Sequence, residues 1–174
     1  MNKLLTILLI ASFTFFAHAK KIDAPELSIT DTKGTTYNVT ETEEGLIIQG
    51  LEGKVLLLEF FGHKCPPCLA SIPHLIDLQK KHKKDVAILS IEVQGLSNKE
   101  VLAFAKKKGI NYITVAEEKA SKFVNYIQGR AQWKGSIPFL VALNPAGDVK
   151  YIHAGMLQEE SLEDLITELK ETKK

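Results

Sequence analysis

The chain has 174 residues, of which 45% are hydrophobic and 25% charged, a mixture typical of one globular domain rather than of a disordered chain. Its 22 Lys and Arg residues nearly balance its 21 Asp and Glu residues, so the formal net charge is only +1. Nucleic-acid-binding proteins usually carry a strong basic excess, and this balance argues against nucleic acid as a partner.

The first residues match a secretory signal. Lys3 is followed by an uncharged, mostly apolar run over residues 4–16, which is too short to span a bilayer comfortably. Small side chains at Ala17 and Ala19 then match the pattern that signal peptidase cleaves. The sequence therefore predicts a signal peptide over residues 1–19 and a mature periplasmic domain over residues 20–174. The alternative is an uncleaved segment that anchors the protein in the membrane.

Apolar periodicity and turn residues predict alternating strands and helices along the mature chain. Strands are predicted over residues 27–29, 35–39, 46–49, 55–61, 86–93, 113–115, 139–143 and 149–153. Helices are predicted over residues 66–81, 98–108, 118–127 and 158–170. This order predicts an α/β fold in which helices flank a central mixed sheet, preceded by an N-terminal β extension.

The only two cysteines, Cys65 and Cys68, fall between the buried strand over 55–61 and the helix over 66–81. In an oxidising compartment such a pair is normally a disulfide. A bridge that encloses two residues constrains the unfolded chain little, so redox chemistry explains the pair better than stability does. At a helix N-terminus, backbone N–H groups and the helix dipole stabilise a thiolate. Cys65 is therefore the expected attacking thiol and Cys68 the resolving one.

The neighbours of the cysteines are candidates for tuning this activity. Pro66 and Pro67 occupy the first helical turn, where a missing N–H costs nothing. Lys64, together with His63, would add positive charge beside Cys65 and favour its thiolate.

Metal-binding hypotheses for the cysteine pair compete with the redox hypothesis. Haem attachment needs a histidine directly after the second cysteine, where this chain has Leu69, and a structural zinc site needs four ligands. We therefore expect no resident metal or cofactor. A copper-binding or copper-delivery protein remains an alternative, with Cys65 and Cys68 as soft ligands and His63 as a third.

Glu59 is the only charged residue in the apolar run over 55–61, six positions before Cys65. A buried carboxylate is costly unless it has a partner or a task. Beneath the second thiol it could accept the proton of Cys68, directly or through water, and burial should raise its pKa. The alternative is a Glu59 on a solvated face or paired with a lysine.

Ile137 and Pro138 precede the predicted strand over 139–143 and are the candidate substrate-binding residues. A proline that opens a strand is tolerated. A cis bond here would place backbone groups beside the disulfide, although few X–Pro bonds in folded proteins are cis.

The mature chain resembles the thioredoxin superfamily, most closely its exported branch of cytochrome-c-maturation and TlpA/ResA/CcmG-like proteins. The resemblance covers roughly residues 25–170 and rests on residues 53–61, 65–68, Pro73, 137–140, 144–148 and Gly155. It implies a thioredoxin fold, a cis-proline at Pro138, and a Glu59 in the place of thioredoxin's buried acid. It also implies a redox enzyme that acts on exported proteins with cysteines, apocytochrome c among them. A membrane thiol donor would reduce its cysteine pair again after each cycle.

Two positions depart from the family pattern. Lys64 stands where the family usually has tryptophan, and Ser71 stands where many TlpA/ResA-like reductases have glutamate. Lys64 should favour the Cys65 thiolate and make the pair more oxidising than thioredoxin. We expect a reductant of periplasmic disulfides, with an oxidase or isomerase as the alternative.

Overall fold

The computed structural model describes residues 27–172 and contains eight strands and four α-helices over that range. The strands are β1 (Leu27–Thr30), β2 (Thr36–Glu41), β3 (Leu46–Ile48), β4 (Val55–Phe61), β5 (Val86–Glu92), β6 (Ile113–Ala116), β7 (Phe139–Leu143) and β8 (Val149–Ala154). The helices are α1 (Pro66–Lys81), α2 (Asn98–Lys108), α3 (Ser121–Arg130) and α4 (Glu159–Glu171). The predicted signal peptide and cleavage site lie outside the described residues.

The strands form two sheets. The larger has the order β6-β5-β4-β7-β8. Strands β4, β5 and β6 pair in parallel, and β7 is antiparallel to both of its neighbours, β4 and β8. The smaller is an antiparallel sheet of β1, β2 and β3. The predicted central mixed sheet and N-terminal β extension are therefore confirmed.

Strand β4 is the middle of the molecule, and all seven of its residues are buried. Alternate side chains of a strand point to opposite faces. Leu56, Leu58 and Phe60 pack with the N-terminal sheet and α3, whereas Val55 and Leu57 pack with α1 and α4. Burial on both faces explains why every residue of this segment except Glu59 is apolar.

The predicted helix over 118–127 is the one helix whose course differs from the structure. A 3-10 turn occupies Glu117–Lys119, and α3 begins only at Ser121. Ala120 separates them: its N–H donates to the Glu117 carbonyl three residues back, and its φ of −143° is not helical. Apolar spacing cannot separate a 3-10 turn from the first turn of an α-helix, because both bring residues three apart onto one side.

Within residues 27–172, no helix is long and apolar enough to cross a membrane.

Two glycines let the N-terminal sheet approach the hairpin between β7 and β8. The N–H of Leu46 donates to the Gly147 carbonyl at 2.8 Å, and the N–H of Val149 donates to the Glu44 carbonyl at 3.0 Å. A Cβ at Gly147 would lie 2.5 Å from the Leu46 carbonyl oxygen, and one at Gly45 would lie 2.2 Å from the Gly147 oxygen. Glycine is required at this junction because two backbones meet there.

Gly147→Ala should be far more destabilising than Gly34→Ala. The two glycines have nearly the same φ, +90° and +92°, but a Cβ at Gly34 meets nothing within 4 Å. Gly34→Ala should lower the free energy of unfolding by about 1 kcal/mol, from backbone strain alone. Gly147→Ala should lower it by about 2–4 kcal/mol, because the clash with Leu46 adds to that strain. Urea unfolding of both variants measures the difference, and equal losses would contradict the proposed close junction.

Candidate active site

The two cysteines form a disulfide at the N-terminus of α1, and their Cα atoms lie 5.2 Å apart. Cys65 is the N-cap residue, and Cys68 lies in the first helical turn. Cys65 is 7% exposed, whereas Cys68 is fully buried. Cys65 is thus the more accessible of two buried cysteines in the disulfide form, and its role as the attacking thiol remains a prediction.

The first helical turn directs one amide at the sulfur of Cys65. Pro66 and Pro67 fill the first two helical positions and have no N–H. The next amide, that of Cys68, donates to the Cys65 Sγ at 3.3 Å. The first turn of α1 contains no acidic residue that would oppose negative charge on this sulfur. This end of the helix therefore suits a thiolate at Cys65 once the disulfide is reduced.

Ile137 and Pro138 lie beside the disulfide. The bond between them is cis, as the family resemblance implies. The Ile137 carbonyl oxygen is 3.7 Å from the Cys65 Sγ, and the Ile137 side chain packs against the cluster of Phe61 and the two cysteines. The Pro138 carbonyl accepts the N–H of Gly155 at 2.8 Å, which ties this loop to the end of β8. A role in substrate binding remains a prediction.

Glu59 lies in the middle of β4 and is 5% exposed, so the solvated and lysine-paired alternatives are wrong. Its Oε2 accepts a hydrogen bond from the Ser90 hydroxyl at 2.5 Å, and Ser90 is its register partner in β5. Burial raises the pKa of Glu59 to about 7, although the Ser90 hydrogen bond acts in the opposite direction. A carboxyl with such a pKa can take up and release a proton near neutral pH.

A small cavity of about 30 Å³ adjoins Glu59. Ser71, one turn beyond Cys68 in α1, and Pro138 also line it, among mostly apolar side chains. A cavity that holds a water molecule needs at least roughly 10–15 Å³ of such space and polar partners. This one has room for a water between the Glu59 carboxyl and the helix that carries Cys68.

Ser90 and Tyr112 belong to the surroundings of Glu59, and the sequence analysis did not identify them. Burial, followed by the negative charge of Glu59, raises the pKa of the Tyr112 hydroxyl. A signal for Ser90 was present, because it is a hydroxyl residue within an otherwise apolar strand. Tyr112 carried no such signal, since its position depends on the packing of the chain between α2 and β6 against the sheet.

The residues before Cys65 differ from expectation in one respect. The His63 side chain is not free beside Cys65, because its ring Nδ1 lies 2.8 Å from the Oε1 of the buried Glu92. Lys64 is exposed and makes no ion pair within residues 27–172, and its effect on the Cys65 thiolate remains a prediction. Over the same residues there is no cluster of three metal-ligating side chains, and His63 gains no support as a third copper ligand.

Known proteins resemble this chain in sequence and in fold. The Redoxin family pattern matches residues 20–167. The chain is 26% identical over 149 residues to the thiol-disulfide oxidoreductase ResA of Bacillus subtilis, covering 85% of this chain and 74% of that one.

Two solved structures show the same fold. A thiol:disulfide interchange protein of the thioredoxin family from Chlorobium tepidum superposes with a TM-score of 0.65 at 18% identity, covering 84% of this chain and 94% of its own. The exposed lipoprotein thioredoxin Etrx1 of Streptococcus pneumoniae gives 0.63 at 19% identity, with coverages of 82% and 98%.

The buried carboxyl predicts a pH-dependent stability that Glu59→Gln should abolish. Below pH 4.5 the carboxyl is protonated in both states; between pH 4.5 and about 7 only the folded chain keeps the proton. The free energy of unfolding should therefore fall as pH rises through this window, by roughly 3 kcal/mol in total from this group. Above the window it should level off.

Denaturant unfolding of the oxidised protein between pH 4 and 8 measures this effect as the difference between wild type and Glu59→Gln. The variant should be the more stable protein at pH 8, because it removes a buried charge. A difference that does not vary with pH would show that folding does not shift the pKa of Glu59.

Proposed function

The chain belongs to the Redoxin family, and on that premise we propose that it is a periplasmic thiol–disulfide oxidoreductase that reduces disulfides of exported proteins. The observation that carries the proposal is the Cys65–Cys68 disulfide at the N-terminus of α1, with the Cys68 amide directed at the Cys65 sulfur. The name of the Bacillus subtilis relative, a thiol-disulfide oxidoreductase, agrees with this chemistry.

In the proposed reaction, the Cys65 thiolate attacks one sulfur of a substrate disulfide and displaces the other as a thiolate. The mixed disulfide is then attacked by Cys68, which releases the second substrate thiol and forms the Cys65–Cys68 disulfide. Two electrons thus pass from the cysteine pair to the substrate. A membrane thiol donor must reduce the pair again before the next cycle.

Cys68 needs a base before it can attack, because it is fully buried and its thiol must lose a proton. We assign this proton to Glu59, which would accept it directly or through a water in the cavity that adjoins Glu59. A pKa of about 7 allows Glu59 to accept the proton and later return it to solvent. Ser90 orients the carboxyl by its short hydrogen bond.

The direction of electron flow and the substrate follow from the family resemblance. Exported relatives of the TlpA/ResA/CcmG type are associated with cytochrome c maturation, so apocytochrome c is the substrate we propose. Two residues depart from the family pattern. Lys64 lies next to the first cysteine, and Ser71 lines the cavity beside Glu59. They change the surroundings of the thiols without removing either thiol or the buried acid.

The proposed export predicts a processed N-terminus in the mature protein. If residues 1–19 are a cleaved signal peptide, N-terminal sequencing of protein purified from the cell envelope should begin at Lys20. Detection of intact Met1 on membrane-bound protein would contradict cleavage and would indicate an enzyme anchored by its N-terminal segment.

Glu59→Gln should slow one half-reaction and spare the other. Steps that need deprotonated Cys68 should slow by about 10²–10⁴-fold, the usual worth of general-base assistance. Attack of Cys65 on a small disulfide should change little, because the helix terminus and Lys64 activate that thiol. Stopped-flow kinetics of both half-reactions between pH 5 and 9 measures the two effects separately.

Ser71→Ala is the matched control, since it also alters the lining of the cavity but removes no proton acceptor of suitable pKa. It should leave both half-reactions within a few-fold of wild type. If Glu59→Gln left both half-reactions unchanged at every pH, Glu59 would not be the proton carrier.

A further inference from the structure

The loop between β4 and Cys65 is held by side chains from the last residue of β5 and from the segment that follows it. The N–H of His63 donates to the Glu92 Oε1 at 3.3 Å, and the N–H of Lys64 donates to the Gln94 Oε1 at 2.9 Å. The two backbone N–H groups directly before Cys65 therefore donate to side chains at the end of β5 and just beyond it. Buried or half-buried loop amides usually find partners in this way, but here the partners fix the approach to the attacking thiol.

Glu92 is the buried anchor of this arrangement, with no exposed surface. N–H donors converge on its carboxylate from the His63 backbone, the His63 ring, Gln94 and Leu96, at 2.8–3.3 Å. A buried carboxylate is tolerated only when its oxygens are satisfied, and N–H donors do so here. Glu92 thereby joins the cysteine loop to the segment over residues 94–96.

Gln94 and Gly62 fit one another closely. A Cβ at Gly62 would lie 2.3 Å from the Gln94 Cδ, so the Gln94 side chain occupies the space that any other residue at position 62 would need. The Gly62 carbonyl in turn accepts the N–H of Cys65 at 3.2 Å. The Gln94 side chain thus covers the loop and orders the backbone as far as Cys65.

We propose that Glu92 and Gln94 are positioning residues for Cys65, which hold the loop over residues 62–64 so that the Cys65 sulfur stays at the Cys68 amide after the disulfide opens. In the oxidised protein the S–S bond itself keeps the two residues together. In the reduced protein that restraint is gone, and the hydrogen bonds to the loop take its place. The inference rests on the proposed function, because it assumes that Cys65 is the attacking thiol.

Gln94→Met tests this inference without changing any charge. Methionine keeps the length of the side chain but cannot accept the Lys64 N–H. In the reduced variant the Cys65 thiolate should be less favoured, so alkylation of Cys65 by iodoacetamide at pH 6 should be about twofold to tenfold slower than in wild type. At pH 9, where the thiolate predominates in both proteins, the two rates should converge.

Gln79→Met is the matched control. The Gln79 side chain also bridges backbone groups, donating to the Val86 carbonyl at 3.1 Å and accepting from the Ile88 N–H at 2.9 Å, near the other end of α1. It should lower the free energy of unfolding without altering the rate of Cys65 alkylation at any pH. A purely structural role for Gln94 would give the same result as this control.

The outcomes separate this inference from the function on which it rests. Wild-type-like alkylation in Gln94→Met, or slowing by the same factor at pH 6 and pH 9, would overturn the positioning role. Peptide mapping in the wild type reports on the function itself. If Cys68 is alkylated faster than Cys65 there, the assigned order of the thiols is wrong and the inference fails with it.

Discussion

The hydrogen bond from the Cys68 amide to the Cys65 sulfur is the contact on which the chemistry of this protein depends. Cys65 is the N-cap residue of α1, so its side chain can accept a hydrogen bond from the first helical turn. Pro66 and Pro67 have no N–H, which leaves the Cys68 amide as the donor. A sulfur at this place is favoured as an anion by the helix terminus. In the proposed mechanism, the remaining features of the site either hold Cys65 at the helix end or accept the proton of Cys68.

Strand β4 connects these two tasks. Its fifth residue, Glu59, is buried next to Ser90, and its last residue leads directly into the cysteine loop. Burial of a carboxyl costs stability above its raised pKa, and a well-packed apolar residue would avoid that cost. We propose that the acid stands here for its proton chemistry, since no ion pair within residues 27–172 gives Glu59 a structural role.

The sequence predicted the local parts of this arrangement well. The bounds of β4, α1 and α2 follow from apolar runs, a proline start and a glycine end, all of which are local signals. Cys65, Cys68 and Glu59 were identifiable because each is an unusual residue in its segment. Ser90, Tyr112, Glu92 and Gln94 were not identified as site residues, since their importance depends on the β4–β5 register and on loop packing. The cis bond at Pro138 came from family resemblance, because composition and spacing carry no signal for it.

The central claim is that Cys65 and Cys68 form a reversible redox couple that donates electrons to exported proteins. Equilibration with glutathione or dithiothreitol buffers, followed by quantification of the free thiols, measures its reduction potential. The account predicts one two-electron transition, somewhat less reducing than thioredoxin and thus between about −270 and −200 mV. A potential near about −120 mV, that of a strong disulfide donor, would contradict the proposed direction. A disulfide that does not exchange with these buffers would contradict the redox function itself.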